Sequence, residues 1–249
     1  MKTKQMEENN IIIVENLFKK FGNFTANNDL NFVVKSGEIF GFLGANGAGK
    51  TTAIKILSGL SKPTSGKVIV AGFDVNTQSN KLKQNIGYMS QRFSLYDDLT
   101  VKENFRFYGG IYGMSAKNIR LKTEALLKRL DMLNYKDMLL KKLPLGWKQK
   151  LAFSVAVMHD PAIVFLDEPT GGVDPITRRQ FWDLIYEKSY EGVTIFVTTH
   201  YMDEAEYCQR VSIMAEGKIE ALDTPSNLKK QFNVNTMDEV FVKIARKVN

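Results

Sequence analysis

The sequence predicts an α/β fold built around a largely parallel sheet, and three features carry that prediction. Short apolar runs of strand length recur along the chain, separated by stretches of helical periodicity, the alternation that parallel sheets require. One run, residues 38–43, empties into a glycine-rich turn that opens a helix. Another, residues 163–166, ends in two adjacent carboxylates, Asp167 and Glu168, at the strand end where open parallel sheets place their ligands.

The bulk properties fit such a fold. The chain has 249 residues, 44% hydrophobic and 24% charged, enough to bury a sizeable core. Its longest apolar runs, such as residues 11–14, fall far short of the roughly 18–20 residues that span a bilayer. Residues 1–10 form a polar extension without the apolar centre of a secretion signal. Cys208 is the only cysteine, so no internal disulfide forms, and a cytosolic location is expected. The net charge of +7 is unevenly spread: residues 117–150 carry 10 Lys or Arg against 3 Asp or Glu. That segment reads either as solvated helix faces or as a basic surface near anionic lipid or nucleic acid, and charge alone favours the first.

Taken in order, residues 11–15, 30–34 and 38–43 read as strands, the last two split by the turn Ser36-Gly37. A helical pattern then runs through Leu60. A turn at residues 62–66 leads to a strand at 68–71, and residues 86–89 form another. From Val101 to Leu133 the period is helical, with Ile119, Leu126, Leu130 and Leu133 on one face. Residues from about 92 to 145 therefore read as an inserted helical subdomain. Alternation resumes with a strand at 162–166, a helix opened by Asp174, and strands at 194–198 and 211–214. The tail, residues 236–247, spaces Met237, Val240, Phe241 and Ile244 as a helix does. Strand order is not encoded in any local pattern.

Two motifs carry chemistry. Gly44-Ala45-Asn46-Gly47-Ala48-Gly49-Lys50-Thr51 fits G-x-x-x-x-G-K-[ST], between a strand and a helix as the pattern demands. Its glycines let successive N–H groups face phosphate oxygens, and the helix opening near Gly49 adds its positive end. Lys50 then reaches the β- and γ-phosphates, and the Thr51 hydroxyl, followed by Thr52, faces a Mg²⁺ ion. Asp167 suits the magnesium shell. Glu168 suits a general base for an attacking water.

With these motifs in place the chain resembles the ATP-binding cassette of ABC transporters over residues 11–245. The resemblance implies a P-loop NTPase, RecA-like core with an antiparallel β subdomain and an inserted α-helical subdomain. It implies ATP and Mg²⁺ as ligands and ATP hydrolysis as the activity. Phe21, beside Gly22, matches the aromatic that stacks on adenine, and Gln91 the glutamine that touches Mg²⁺ and the attacking water. His200 matches the switch histidine at the γ-phosphate, and Asp174 the loop that crosses between two subunits.

The signature segment departs from Leu-Ser-Gly-Gly-Gln and reads Leu143-Pro144-Leu145-Gly146-Trp147-Lys148-Gln149. Gly146 keeps the second glycine, which would meet ATP in trans. Pro144 replaces the serine, removing a hydrogen bond worth about 1–3 kcal/mol. This form, with residues 93–100 and 236–241, resembles a subgroup of bacterial exporter ATPases linked to multidrug efflux. The implied partners are a second cassette, identical or not, in the ATP-bound state, and a separate integral-membrane permease. The implied location is peripheral, on the cytoplasmic side of the inner membrane. Leu95 and Tyr96 are the expected permease contacts. A soluble ABC-type ATPase acting on nucleic acid or ribosomes is the alternative. It is disfavoured, because such proteins carry coiled coils or paired cassettes that this sequence lacks.

Overall fold

A computed structural model describes residues 9–91 and 95–248. Two sheets organise the chain. The first is antiparallel, in the order β2-β1-β4-β5, from β1 (Asn10–Phe21), β2 (Phe24–Lys35), β4 (Ser65–Val70) and β5 (Phe73–Asp74). The second runs β10-β9-β3-β8-β7-β6, from β3 (Ile39–Gly44), β6 (Ile86–Met89), β7 (Ile163–Asp167), β8 (Thr194–Thr199), β9 (Arg210–Ala215) and β10 (Lys218–Asp223). In it β9, β3, β8, β7 and β6 pair in parallel, and only β10 is antiparallel. The helices are α1 (Lys50–Leu57), α2 (Ser79–Asn85), α3 (Val101–Ile111), α4 (Ala116–Arg129), α5 (Leu145–Val157), α6 (Pro175–Tyr190), α7 (Pro225–Phe232) and α8 (Met237–Val248).

The central strands are apolar at nearly every position because both faces are covered. Ile39, Leu43, Val164, Leu166, Ile195 and Val197 enter a core that they share with α3, α5 and α6. Their alternates Phe40, Phe42, Ile163, Phe165 and Phe196 enter a second core, shared with α1 and the antiparallel sheet. Where the sheets meet, the Phe196 ring lies 5.2 Å from Phe42, 5.6 Å from Phe40, 5.5 Å from Phe165 and 6.4 Å from Phe32 of β2. Five rings thus join one sheet to the other.

Three sequence expectations need correction. Helical spacing over residues 101–133 is split between α3 and α4, and the buried positions of α4 are Ile119, Thr123 and Leu127. Leu133 lies beyond α4 in a short 3₁₀ turn and is exposed. The chain restarts because Ser115 caps α4, after Thr100 and Glu103 form a capping box on α3. The first helix ends at Leu57 rather than Leu60. Strands β5 and β10 and helix α2 had no strong local signal. In the basic segment, Lys122, Arg129, Lys141 and Lys148 pair with Asp160, Glu187, Asp98 and Asp97, all outside it. Much of the surplus charge is therefore neutralised on the surface of the fold.

His159 sits at the end of α5, stacked on Tyr112 at 3.6 Å, with Nε2 3.1 Å from the Ile86 carbonyl. Burial pushes its pKa down to about 4, below the roughly 6.5 of a free imidazole. The unfolded chain therefore binds the extra proton first. The stability that neutral His159 contributes is fully present above pH ~6.5 and is lost as pH falls toward its folded value. Melting at pH 7.5 and pH 5 should show a drop on acidification that is smaller in His159→Gln. An unchanged drop would exclude His159 as its source.

Candidate functional site

The sheet order brings together segments that are far apart in sequence. The glycine loop follows β3, His200 follows β8, Glu168 follows β7 and Gln91 follows β6, and these four strands are neighbours. Every loop leaves the same, C-terminal edge of the parallel sheet, where ligands bind in such folds.

The loop itself is tightly held. Gly49 caps α1 with φ +101°, a left-handed conformation, and a Cβ there would lie 2.3 Å from the Ala26 carbonyl. Asn27, fully buried on β2, donates to the Gly49 carbonyl at 3.1 Å. Gly217, in the β9–β10 turn, donates to the Ala48 carbonyl at 3.1 Å. Ala45, Asn46 and Gly47 are exposed, whereas Gly44, Ala48 and Lys50 are buried and Thr51 and Thr52 half-buried.

Glu168 is the hub. Lys50 Nζ lies 3.4 Å from its Oε1, Gln91 Nε2 donates to Oε2 at 2.9 Å, and His200 Nδ1 is 3.1 Å from Oε2. The Lys50 ammonium also donates to the carbonyls of Gly44 at 2.8 Å and Ala45 at 3.1 Å. Burial holds the Lys50 pKa below its ordinary value, against the pull of the Glu168 and Asp167 charges. Asp167 is 2% exposed and accepts from the Thr198 hydroxyl at 2.7 Å. Its pKa is raised, chiefly by burial, which the Thr198 hydrogen bond opposes. Glu168 takes φ +49°, unusual for a residue with a side chain, and its N–H donates to Thr198 Oγ1 at 3.0 Å. That kink ends β7 and gives the two adjacent acids separate surroundings.

The other expected residues belong to other elements. Phe21 ends β1 and is 55% exposed, with Lys19 Nζ 4.8 Å from its ring centre. Asp174 caps α6, accepting from the N–H groups of Ile176 and Thr177 and from the Thr177 hydroxyl. Pro144 is the cap of α5 and offers its first turn no side-chain acceptor. Gly146 lies in that turn against α6, where a Cβ would lie 2.4 Å from Thr177 Cγ2. Leu95 is buried, contrary to its expected role as a surface contact, because it packs into the core with Val101 and Phe105. Tyr96 is exposed and meets Phe107 edge-on at 5.0 Å. Phe93 and Ser94 lie outside the described residues.

The sequence reading missed Asn27, Thr198 and the carboxylate of Glu204. The polar pair Thr198-Thr199 ending an apolar strand was the one available signal.

A glycine loop on a helix start, facing a carboxylate gripped by lysine, glutamine and histidine at one sheet edge, defines a P-loop nucleotide-binding domain. Residues 27–171 match the protein family described as ABC transporter, and the chain belongs to that family. It is 46% identical over 239 residues to "Probable multidrug ABC transporter ATP-binding protein YbhF" of Escherichia coli. The match covers 94% of this chain and 41% of YbhF, so the chain spans about two fifths of that relative's length. Among solved structures it is similar to an ATP-binding subunit of an ABC transporter, with TM-score 0.85 and 27% identity, covering 94% of this chain and 99% of the other. A dimeric post-hydrolysis state of an ATP-binding cassette bound to ADP and Pi is also similar, with TM-score 0.78 and 26% identity over 86% of this chain and 98% of that one.

Proposed function

We propose that this chain binds and hydrolyses ATP to drive an ABC transporter, an exporter whose membrane path belongs to a separate permease. The observation that carries the reading is the convergence of Lys50, Gln91 and His200 on the Glu168 carboxylate beside the glycine loop. Residues 11–245 act as one nucleotide-binding unit, with the helical part at about 92–145 as its inserted arm. Among the described residues no helix is long and apolar enough to cross a membrane, which fits a peripheral subunit on the inner face of the membrane.

A γ-phosphate entering the loop would take over Lys50 from the Gly44 and Ala45 carbonyls and from Glu168. Freed of that ion pair, Glu168 can accept a proton from the attacking water while Gln91 and His200 hold its Oε2. Phe21, 55% exposed at the end of β1, would stack on adenine. The donor set suits magnesium: the Thr51 hydroxyl, the Asp167 carboxylate and the Gln91 amide oxygen are all hard ligands. Bound there, Mg²⁺ would neutralise charge on the phosphates.

Gly146 packs on Thr177 and Asp174 caps the same helix, and in this reading both act on the nucleotide of a second copy. Leu145 and Ile176, exposed by 40% and 73% beside them, give that face an apolar surface to cover. The relative's multidrug name supports export, and the similar dimeric cassette supports pairing. Nucleic acid is disfavoured, since four of the basic side chains are already paired.

Turnover tests the reading. With saturating ATP and Mg²⁺, hydrolysis per molecule should rise with protein concentration, because one copy encloses only half of a site. A constant specific rate would refute the shared site, and no hydrolysis at any concentration would refute the activity.

A further inference from the structure

The loop at residues 169–174 and the segment after His200 meet at a buried charge that the chemistry above does not use. Glu204, fully buried in the 3₁₀ turn Met202–Tyr207, accepts from the Thr170 hydroxyl at 2.6 Å. Thr170 is itself fully buried. Arg178, in the first turns of α6, lies with Nε 3.7 Å from Glu204 Oε1. That distance is an ion pair without a hydrogen bond. Neither Arg178 Nε nor Glu204 Oε2 has a hydrogen-bond partner among the described residues. The guanidinium covers the Tyr201 ring at 4.1 Å, and the Tyr201 ring lies 4.1 Å from the His200 ring.

Arg178 is thus two contacts from Thr170 of the crossing loop, through Glu204, and two contacts from His200, through Tyr201. Its own helix begins at Asp174, and the preceding residue, Thr177, packs on Gly146. The Arg178 side chain is 19% exposed and its Nη1 donates to Asp203 Oδ2 at 3.4 Å, but its pairing with the buried Glu204 carboxylate gains most at hydrogen-bond distance, roughly 2.7–2.9 Å. Here the gap is under 1 Å wider than that limit. Small movement of α6 closes it, and the planar guanidinium transmits that movement to Tyr201 as a lysine ammonium would not.

We propose that Arg178 is a positioning residue that couples the loop at residues 169–174 to His200, with Glu204 as its buried anchor. This rests on the reading of His200 and of the crossing loop given above. Engagement of a second copy at Asp174 and Gly146 shifts the start of α6, the Arg178–Glu204 pair tightens, and Tyr201 holds His200 against the hub of the site. Hydrolysis is thereby tied to pairing.

Removing Arg178 alone strands a buried carboxylate and risks the fold. The informative variant is therefore Arg178→Met with Glu204→Gln, which removes both charges and keeps their volume. Its KM for ATP should stay within about twofold of the wild type while kcat falls about tenfold, and Arg178→Lys should recover only part of the loss. Tyr201→Leu should reproduce the defect, and combining it with the double variant should add little. Wild-type kcat in the double variant would overturn the proposal. So would a loss confined to melting temperature and to the fraction of protein that binds nucleotide.

A second readout separates this proposal from the reading it rests on. The sequence has 2 histidines, so the His200 ring proton resonance is readily assigned by His159→Gln. That resonance should shift in Arg178→Met with Glu204→Gln and return toward its wild-type position in Arg178→Lys. If the wild-type protein hydrolyses no ATP, the proposed function fails while this resonance still decides the coupling. An unmoved resonance would show that Arg178 does not position His200.

Discussion

Glu168→Gln is expected to lower kcat for ATP hydrolysis by about 10²–10⁴, the range that positioned acid–base groups supply. The substitution keeps the shape of the side chain and its contact with Gln91, but an amide oxygen cannot take a proton from water at neutral pH. It also frees Lys50 from a carboxylate 3.4 Å away, so the ammonium is available to phosphate without competition. ATP affinity should therefore hold or rise while turnover collapses, and the protein should accumulate as a nucleotide-bound pair. Gel filtration with ATP and Mg²⁺ reads the pairing, and phosphate release reads the turnover. A variant that stays monomeric and hydrolyses ATP at the wild-type rate would remove Glu168 from the role of base.

Phe196→Ala should produce the largest loss of stability among single ring deletions in the cluster. Its side chain is fully buried and touches four other rings on three further strands, including Phe32 of the antiparallel sheet. Emptying such a site costs about 3–5 kcal/mol, since backbone-anchored neighbours cannot collapse into the cavity. For a chain of this size that lowers Tm by roughly 6–20 °C. Phe196→Leu, which refills most of the space, should lose much less. A Tm within about 3 °C of the wild type for the alanine variant would mean that the two sheets do not depend on these rings.

The same rings show what could be read from the chain alone. Phe40, Phe42, Phe165 and Phe196 alternate with aliphatic residues inside continuous apolar runs. Burial of both strand faces follows from composition, and so does the parallel sheet. That two alternating sets feed two different cores does not follow, because either face of such a strand could meet either layer. Helix starts were legible where a side chain caps them, as at Asp174. The start of α4 carries the same kind of local trace in Ser115, which the reading passed over, whereas the short α2 has no side-chain cap to announce it. Leu95 is the instructive case: the resemblance offered it with Tyr96 as a permease contact, but it is buried in the core that includes Val101 and Phe105, and no local pattern separates the two neighbours.

For the site, the sequence by itself determined the phosphate loop and the acid pair, because their chemistry is written into short, local patterns, while Gln91 and His200 came only with the family resemblance. Tertiary structure alone decided that these four segments leave one edge of neighbouring strands, in the order β3, β8, β7 and β6. It alone placed Asn27 under Gly49 and Arg178 between Glu204 and Tyr201. The physical reason is range. Turn geometry, capping and strand alternation act over a few residues and leave a local trace, whereas strand order and buried polar pairs are fixed by which distant surfaces exclude water together.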